Sequence, residues 1–346
     1  MEGLGAGQSM TEDRRPVRGR GRLRALLGRL ALAGMLLVGA AVSAATGASG
    51  RPGIALAEYD GPAIYAIDAK GNLYCYHHTG WLTGDFTWQN GNVVGIGWNG
   101  FTHVFAGSGA IYAITPDGTL LWYKHDGENT CEGLNTPGAW EGPKVVGTGW
   151  DAFKEVFAGS GGIIYAINWA GQLLEYKHLG YQTGDFTWQG PTVVSDEQFA
   201  ASDGTLHTGG LVWADYKQVF AGDDGAIYAI DKAGDLLWYK NFGWSDGYDE
   251  WSGPIFVSQG WGNYAQVFAA PDGVIYAITR TTSLTAGGAT RVGGRIVRGG
   301  QLLWFKDLAY DGYAEEGLPD NWQGPKVVGQ GWQSFTSVFQ AASWGS

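Results

Sequence analysis

The chain has 346 residues, with 59 Gly, 17 Trp, 17 Tyr and only 16% charged residues. So many aromatics at so low a charge exclude a disordered chain. The formal net charge is −11, and a body that acidic repels phosphate backbones, which excludes nucleic acid as a partner.

The acidity lies beyond a basic leader. Residues 1–45 hold seven Arg and three acids, leaving 15 basic and 30 acidic residues, net −15, in the rest. Met1 to Gly28 is polar and Arg-rich, and Leu30 to Ala45 is apolar and closes on Val42-Ser43-Ala44. That order is the order of a secretory signal peptide. The apolar run of about 16 residues falls just short of a bilayer span, so an uncleaved anchor is the alternative. Arg14-Arg15 is followed directly by Pro16, a poor twin-arginine context. The expectation is a leader over 1–45 and one exported body over 46–346, monomeric and free of the membrane after cleavage. Two cysteines, Cys75 and Cys131, do not make a disulfide scaffold and read as incidental thiols rather than a bridge.

The body is a repeat. Ile-Tyr-Ala-Ile begins at Ile64, Ile111, Ile164, Ile227 and Ile275, in steps of 47, 53, 63 and 48 residues. Self-similarity at this period dictates a repeat architecture. Each copy reads as four short strands: Val-Phe-Ala-Gly or similar, Ile-Tyr-Ala-Ile, Leu-Trp-Tyr-Lys-His or a relative, and Lys-Val-Val-Gly or a relative, with Gly-rich turns between. The first two are apolar at nearly every position, which requires burial on both faces. Four-stranded meanders achieve that by stacking in a ring. The expected fold is therefore all-β, a five-bladed β-propeller of four-stranded antiparallel blades. Residues 335–341 form a first strand with no second strand after it, so they are expected to close the ring by completing the blade that begins near Ala63. Ile54-Ala55-Leu56-Ala57 is the rival for that slot. Ser195 to Gly209 is expected to interrupt a fourth strand, and Thr279 to Arg298 to lengthen a hairpin; both read as loop growth.

The polar chemistry sits in the second half of the repeat. Tryptophans recur ten apart at Trp88 and Trp98, Trp140 and Trp150, Trp251 and Trp261, and Trp322 and Trp332; in Trp188 and Trp213 the spacing is stretched. The second Trp opens Trp-x-x-Phe/Tyr, ending at Phe101, Phe153, Tyr216, Tyr264 and Phe335. Gly97, Gly149, Gly260 and Gly331 precede four of them. Polar groups precede the first Trp: Asp85, Asp185, Asp249 and Asp320-Asn321. The pattern Asp320-Asn321-Trp322, Val328-Gly329-Gln330-Gly331-Trp332-x-x-Phe335 resembles the tachylectin-2-type lectin repeat, over roughly residues 54–346. The resemblance implies a five-bladed propeller that binds N-acetylglucosamine or N-acetylgalactosamine in the gaps between blades, with the residues just named as its sugar contacts. Asn321 has no counterpart in the other repeats, and Pro137-Gly138-Ala139-Trp140 lacks the Asp.

The chemistry suits a sugar independently. An N-acetylhexosamine has apolar C–H faces beside hydroxyls and an amide, which aromatics, a carboxylate and exposed backbone N–H groups complement. Each Trp alone reads more readily as core, and Asp85 and Asp185 equally well as turn caps. His78, His125 and His178 end third strands, where Asn241 and Asp307 stand in the other repeats; they read as hydrogen-bonding strand ends rather than a metal ring. Ile227 to Trp238 also looks like a quinoprotein repeat, but such enzymes have more blades. No nucleophile-elbow, zincin or Cys/His metal motif occurs. No catalytic residue and no cofactor or metal are expected. The alternatives to a lectin are a ligand-free scaffold and an oxidoreductase.

Overall fold

The computed structural model describes residues 61–194, 199–200, 206–207, 213–245, 250–280, 289–292, 295–310 and 321–341. The leader, the rival strand at Ile54, Asp249 and Asp320 lie outside the described residues. Every Ile-Tyr-Ala-Ile word is the second strand of a four-stranded antiparallel sheet. Blade 1 is Phe335–Gln340, Ala63–Asp68, Leu73–His78 and Trp88–Gly95. Blade 2 is His103–Gly107, Ala110–Ile114, Leu120–His125 and Trp140–Gly147. Blade 3 is Phe153–Ala158, Ile163–Asn168, Leu173–His178 and Trp188–Val194. Blade 4 is Gln218–Ala221, Ala226–Ile230, Leu236–Asn241 and Trp251–Ser258. Blade 5 is Tyr264–Ala270, Val274–Thr279, Gln301–Asp307 and Trp322–Gln330.

The first strands touch one another in cyclic order, blade 5 against blade 1 and blade 1 against blade 2. The chain is thus a five-bladed propeller. The C-terminal strand closes it, with Tyr65 opposite Phe339 and Ala66 opposite Val338. The reason is burial: Ile64, Tyr65 and Ala66 are fully buried, and a second strand needs a partner on each edge and a blade on each face.

Three sets of bonds tie neighbouring blades together. In the first, the Tyr hydroxyl of Ile-Tyr-Ala-Ile meets the end of the following blade's third strand. Tyr65 reaches His125 Nδ1 (2.6 Å), Tyr112 reaches His178 (2.8 Å), Tyr228 donates to Asp307 (2.9 Å) and Tyr276 reaches His78 (2.6 Å). His78 and His178 place Nε2 on the carbonyls of Asp85 and Asp185. A carbonyl only accepts, so the proton sits on Nε2, and Nδ1 receives the Tyr proton. These histidines are strand-end hydrogen-bonding residues, as their spacing suggested. Burial pushes His125 down to about 4, so its neutral ring stabilises the fold above pH 6.5 and that contribution is lost as pH falls toward 4.

In the second set, one third-strand position does the same job by three chemistries. Trp122, Trp238 and Trp304 donate their indole N–H to carbonyls of the next blade, at Tyr181, Tyr310 and Trp81. Glu175 accepts from Asn241 (2.8 Å). In blade 1 the position holds Cys75, and it forms a disulfide with Cys131. This corrects the reading of incidental thiols. The two lie 56 residues apart but on neighbouring blades, with Cα atoms 5.4 Å apart, because the loop after His125 folds back onto blade 1. Asn92 donates to Cys131 O there (3.2 Å).

The third set lines the axis. Gln218 and Gln266 each clamp the next first strand with both ends of the amide, on Val267 and on Val338. Glu155 holds the equivalent place between blades 3 and 4 but only accepts, from Val219 N–H (3.2 Å). Burial pushes its carboxyl up to about 7. The folded state therefore keeps a proton that the unfolded chain sheds near pH 4.5, and stability falls as pH rises between those values. Glu155→Gln is expected to remove that loss and add the missing donor. The variant should be more stable than the parent at pH 8, by on the order of 2 kcal/mol, and equal to it at pH 4. Matched denaturant midpoints at pH 8 would contradict this.

Two further expectations change. The fourth strands begin at the first Trp of each pair, not at Lys144 and its equivalents. The insertion after blade 3 follows its fourth strand, which ends at Val194, instead of interrupting it. The insertion in blade 5 is a lengthened hairpin as expected, with Ala289–Val292 paired to Arg295–Arg298.

Candidate functional site

The link between blades builds the site. Each second Trp opens a one-turn 3-10 helix, and in four of the five links a glycine turn leads into it. Gly97, Gly149, Gly260 and Gly331 adopt φ of 82°, 79°, 94° and 82°, a left-handed region that favours Gly. All five Trp N–H groups are donated to the glycine carbonyl of an exit turn, at Gly71, Gly118, Gly171, Gly234 and Gly300. Each Trp is thereby driven into the gap ahead of it. Trp98, Trp150, Trp213, Trp261 and Trp332 are 1–6% exposed.

The pairs ten apart in sequence are not the pairs in space. Trp332 meets Trp88 (5.4 Å between ring centroids), Trp98 meets Trp140 (5.9 Å), Trp150 meets Trp188 (5.6 Å) and Trp261 meets Trp322 (5.8 Å). Trp213 and Trp251 share a core cluster. The link turn packs on the blade it enters, so its Trp joins the first Trp of the next repeat. A Tyr or Phe of the third strand and the Phe or Tyr of Trp-x-x-Phe/Tyr complete each cluster: Tyr76 and Phe335, Tyr123 and Phe101, Tyr176 and Phe153, Tyr239 and Tyr216, Phe305 and Tyr264.

Between blades 5 and 1 this cluster floors an open pocket of about 590 Å³. Trp332 and Phe335 lie at its base, with Tyr76 and half-buried Trp88 beside them. Gly329-Gln330-Gly331 forms one bank, and Phe86, Gln89 and Gly91 the other. The Trp88 indole N–H is spent on Val328 O (2.6 Å), so the ring contributes surface, not a donor. Burial pushes the Tyr76 hydroxyl up to about 12, so it stays protonated. A Cβ on Gly331 would meet nothing within 4 Å; the glycine is required by conformation and leaves the bank bare. Phe86 is 58% exposed, a large aromatic held at the rim of this aromatic-floored cavity.

The Asp before the first Trp sits in the same rim turn. Asp85 accepts from Thr83 Oγ1 (2.7 Å) and Asp185 from Thr183 Oγ1 (2.7 Å), so each carboxylate also braces its own turn. Gly84 and Gly184, at φ of 69° and 72°, tuck that turn against Trp304 and Trp122 of the preceding blade. Phe186 repeats Phe86 between blades 3 and 2, at 62% exposure. Neither Phe was singled out in the sequence. The signal was there, an apolar residue inside a polar Asp-x-Thr turn. The gap between blades 1 and 2 has Trp98, Trp140 and Gly97, but Gly138 stands at the Phe position and the disulfide loop lies beside it. In the gaps reaching Trp251 and Trp322, Asp249 and Asp320 lie outside the described residues, and Asn321 offers its carbonyl to Leu308 N–H (2.8 Å). Among the described residues, exposed Phe, braced Asp and the aromatic floor therefore come together twice, at Phe86 and at Phe186.

The pocket offers aromatic faces, side-chain amides and bare backbone. Cys75, Cys131 and His77 gather ligand atoms within 4.8 Å, but the two sulfurs are bonded to each other. No described helix is long and apolar enough to cross a membrane.

Among solved structures the chain is similar to a symmetrical protein from work on the de novo evolutionary emergence of such proteins, at 18% identity and TM-score 0.45, covering 81% of this chain and 99% of that one. It is also similar to yeast RCC1 (Prp20) bound to Kap60, at 11% identity and TM-score 0.32, covering 79% of this chain and 60% of that one. A fungal alcohol oxidase in complex with copper matches at 9% identity and TM-score 0.32, covering 75% and 53%. No curated protein matches. The Tachylectin family model matches residues 53–201 and 182–295. The chain belongs to the Tachylectin family, a family of lectin-type propellers.

Proposed function

We propose that the protein is a secreted lectin that binds N-acetylhexosamine-type sugars in the gaps between its blades and acts by avidity. The observation that carries this reading is the pocket between blades 5 and 1. Exposed Phe86 faces a glycine bank across a floor of Trp332 and Phe335, and Gln89 and Gln330 supply amide donors and acceptors. An apolar sugar face lies against the ring, and hydroxyl and acetamido groups meet the amides and the bare backbone. One such shallow site gives a dissociation constant near millimolar, about 4 kcal/mol. Repetition on a rigid ring converts weak sites into tight attachment to dense glycans. Membership of a lectin family supports the reading, and we assign no catalytic role.

A glycan array tests it. Wild-type protein is expected to bind N-acetylhexosamine-terminated glycans and to be displaced by free N-acetylglucosamine or N-acetylgalactosamine. Phe86→Ala with Phe186→Ala is expected to lower the array signal at least tenfold. A silent array, or competition by neither sugar, would reject the lectin and favour a scaffold role for the exposed Val145, Val193 and Phe256 of the outer strands.

A further inference from the structure

On the other side of the Trp332 turn lies a second pocket, of about 350 Å³. Trp332 and Phe335 line both pockets. The second is otherwise lined by Ala265 and Ile278, by polar side chains, notably Gln333 and Thr336, and by a single charged residue, Arg280. The corresponding turn position is Ala69, Pro116, Trp169 and Lys232 in the other blades. Lys232 is neutralised by Asp215 at 2.7 Å. Arg280 makes no ion pair among the described residues.

The sequence around Arg280 is as unusual as its position. Residues 280–298 hold four Arg (280, 291, 295 and 298) and no acidic residue, in a chain whose body is net −15. The last three fall on the extra hairpin of blade 5. Loop growth alone gives no reason for a +4 segment in so acidic a protein. A guanidinium at a polar pocket is the arrangement that selects a carboxylate, sulfate or phosphate, because its planar fork of N–H groups matches two oxygens at once. A segment of net positive charge that follows directly in sequence raises the concentration of anions on this part of the chain.

We infer that the Arg280 pocket is a subsite for an anionic group, and that the preferred ligand is an acidic glycan carrying that group next to an N-acetylhexosamine. The inference rests on the lectin reading for the neighbouring sugar and adds the charge class. It makes the gap between blades 5 and 1 different in kind from the rest: neutral sugar on one side of the indole, anion on the other.

Titration calorimetry on the full protein at 50 mM salt tests this, with three probes: neutral N-acetylglucosamine oligomers, a carboxylate-bearing N-acetylhexosamine oligomer and a sulfated one. Wild type is expected to prefer at least one acidic probe tenfold or more over the neutral one, and which of the two it prefers identifies the anion. Arg280→Gln is expected to bring that preference near unity, leaving neutral binding and melting temperature unchanged. An acidic preference that survives in Arg280→Gln overturns the inference. So does equal binding of a DNA oligonucleotide of matched charge, which would mean bulk attraction only. If acidic probes bind through Arg280 while the neutral oligomer does not bind at all, the subsite stands and the lectin reading of the adjoining pocket fails. If no probe binds, both fail.

Discussion

Removing residues 335–346 is expected to abolish cooperative unfolding. The C-terminal strand is the first strand of blade 1, and nothing else among the described residues supplies it. It buries Val338, Phe339 and Ala341, pairs with Ala63–Asp68, and accepts the Gln266 clamp from blade 5. Burying a Val and a Phe contributes about 1.5–3 kcal/mol each, and ladder hydrogen bonds about 0.5–1.5 kcal/mol each. Together these approach 10 kcal/mol, against a total stability of about 5–15 kcal/mol for a protein of this kind. The truncation also bares Ile64, Tyr65 and Ala66 as an open apolar edge, which invites aggregation. Calorimetry of the truncated chain should show no sharp endotherm; a melt matching that of the intact protein would reject closure by this strand.

Trp150→Ala is expected to cost about 3–5 kcal/mol, the usual range for emptying a buried indole site. Trp150 is 6% exposed and contacts Phe153, Tyr176 and Trp188 at 5.0–5.6 Å. In a domain of this size the loss lowers the melting temperature by roughly 8–15 °C. Phe186→Ala at the rim of the same gap is expected to change stability by less than about 0.5 kcal/mol while weakening glycan binding. The pair separates floor from wall. An unchanged melt for Trp150→Ala would mean that the indole is not a wedge and that its side chain is free to serve as the sugar face itself.

These residues show how far the sequence carries. The ring was legible because Ile-Tyr-Ala-Ile is apolar on both faces and repeats five times, and closure was legible because Phe335 to Phe339 had no second strand after it. The histidines at strand ends were legible as hydrogen-bonding groups. What failed was everything that crosses a gap. Trp88 was grouped with Trp98 because they are ten apart, yet it packs on Trp332, 244 residues away, since a link turn belongs to the blade it enters. Cys75 and Cys131 looked unrelated because nothing local reveals that the loop after His125 folds backward. Phe86 and Phe186 were passed over because exposure, not identity, distinguishes them. Spacing gave the scaffold; the surfaces depend on which neighbour each turn leans on.

The closing strand has one more consequence, for orientation. The described chain enters at Gly61 and leaves at Ala341, and Ala341 N–H is donated to Ala63 O (3.4 Å). Both ends therefore emerge at the rim formed by the turns between first and second strands. Arg280 follows the far end of a second strand, on the opposite rim. A tether placed at Gly61 or at Ala341 therefore holds the ring by the same side and leaves Arg280 on the side that faces away. Immobilising the ring through either of these two positions displays the Arg280 pocket to whatever flows past.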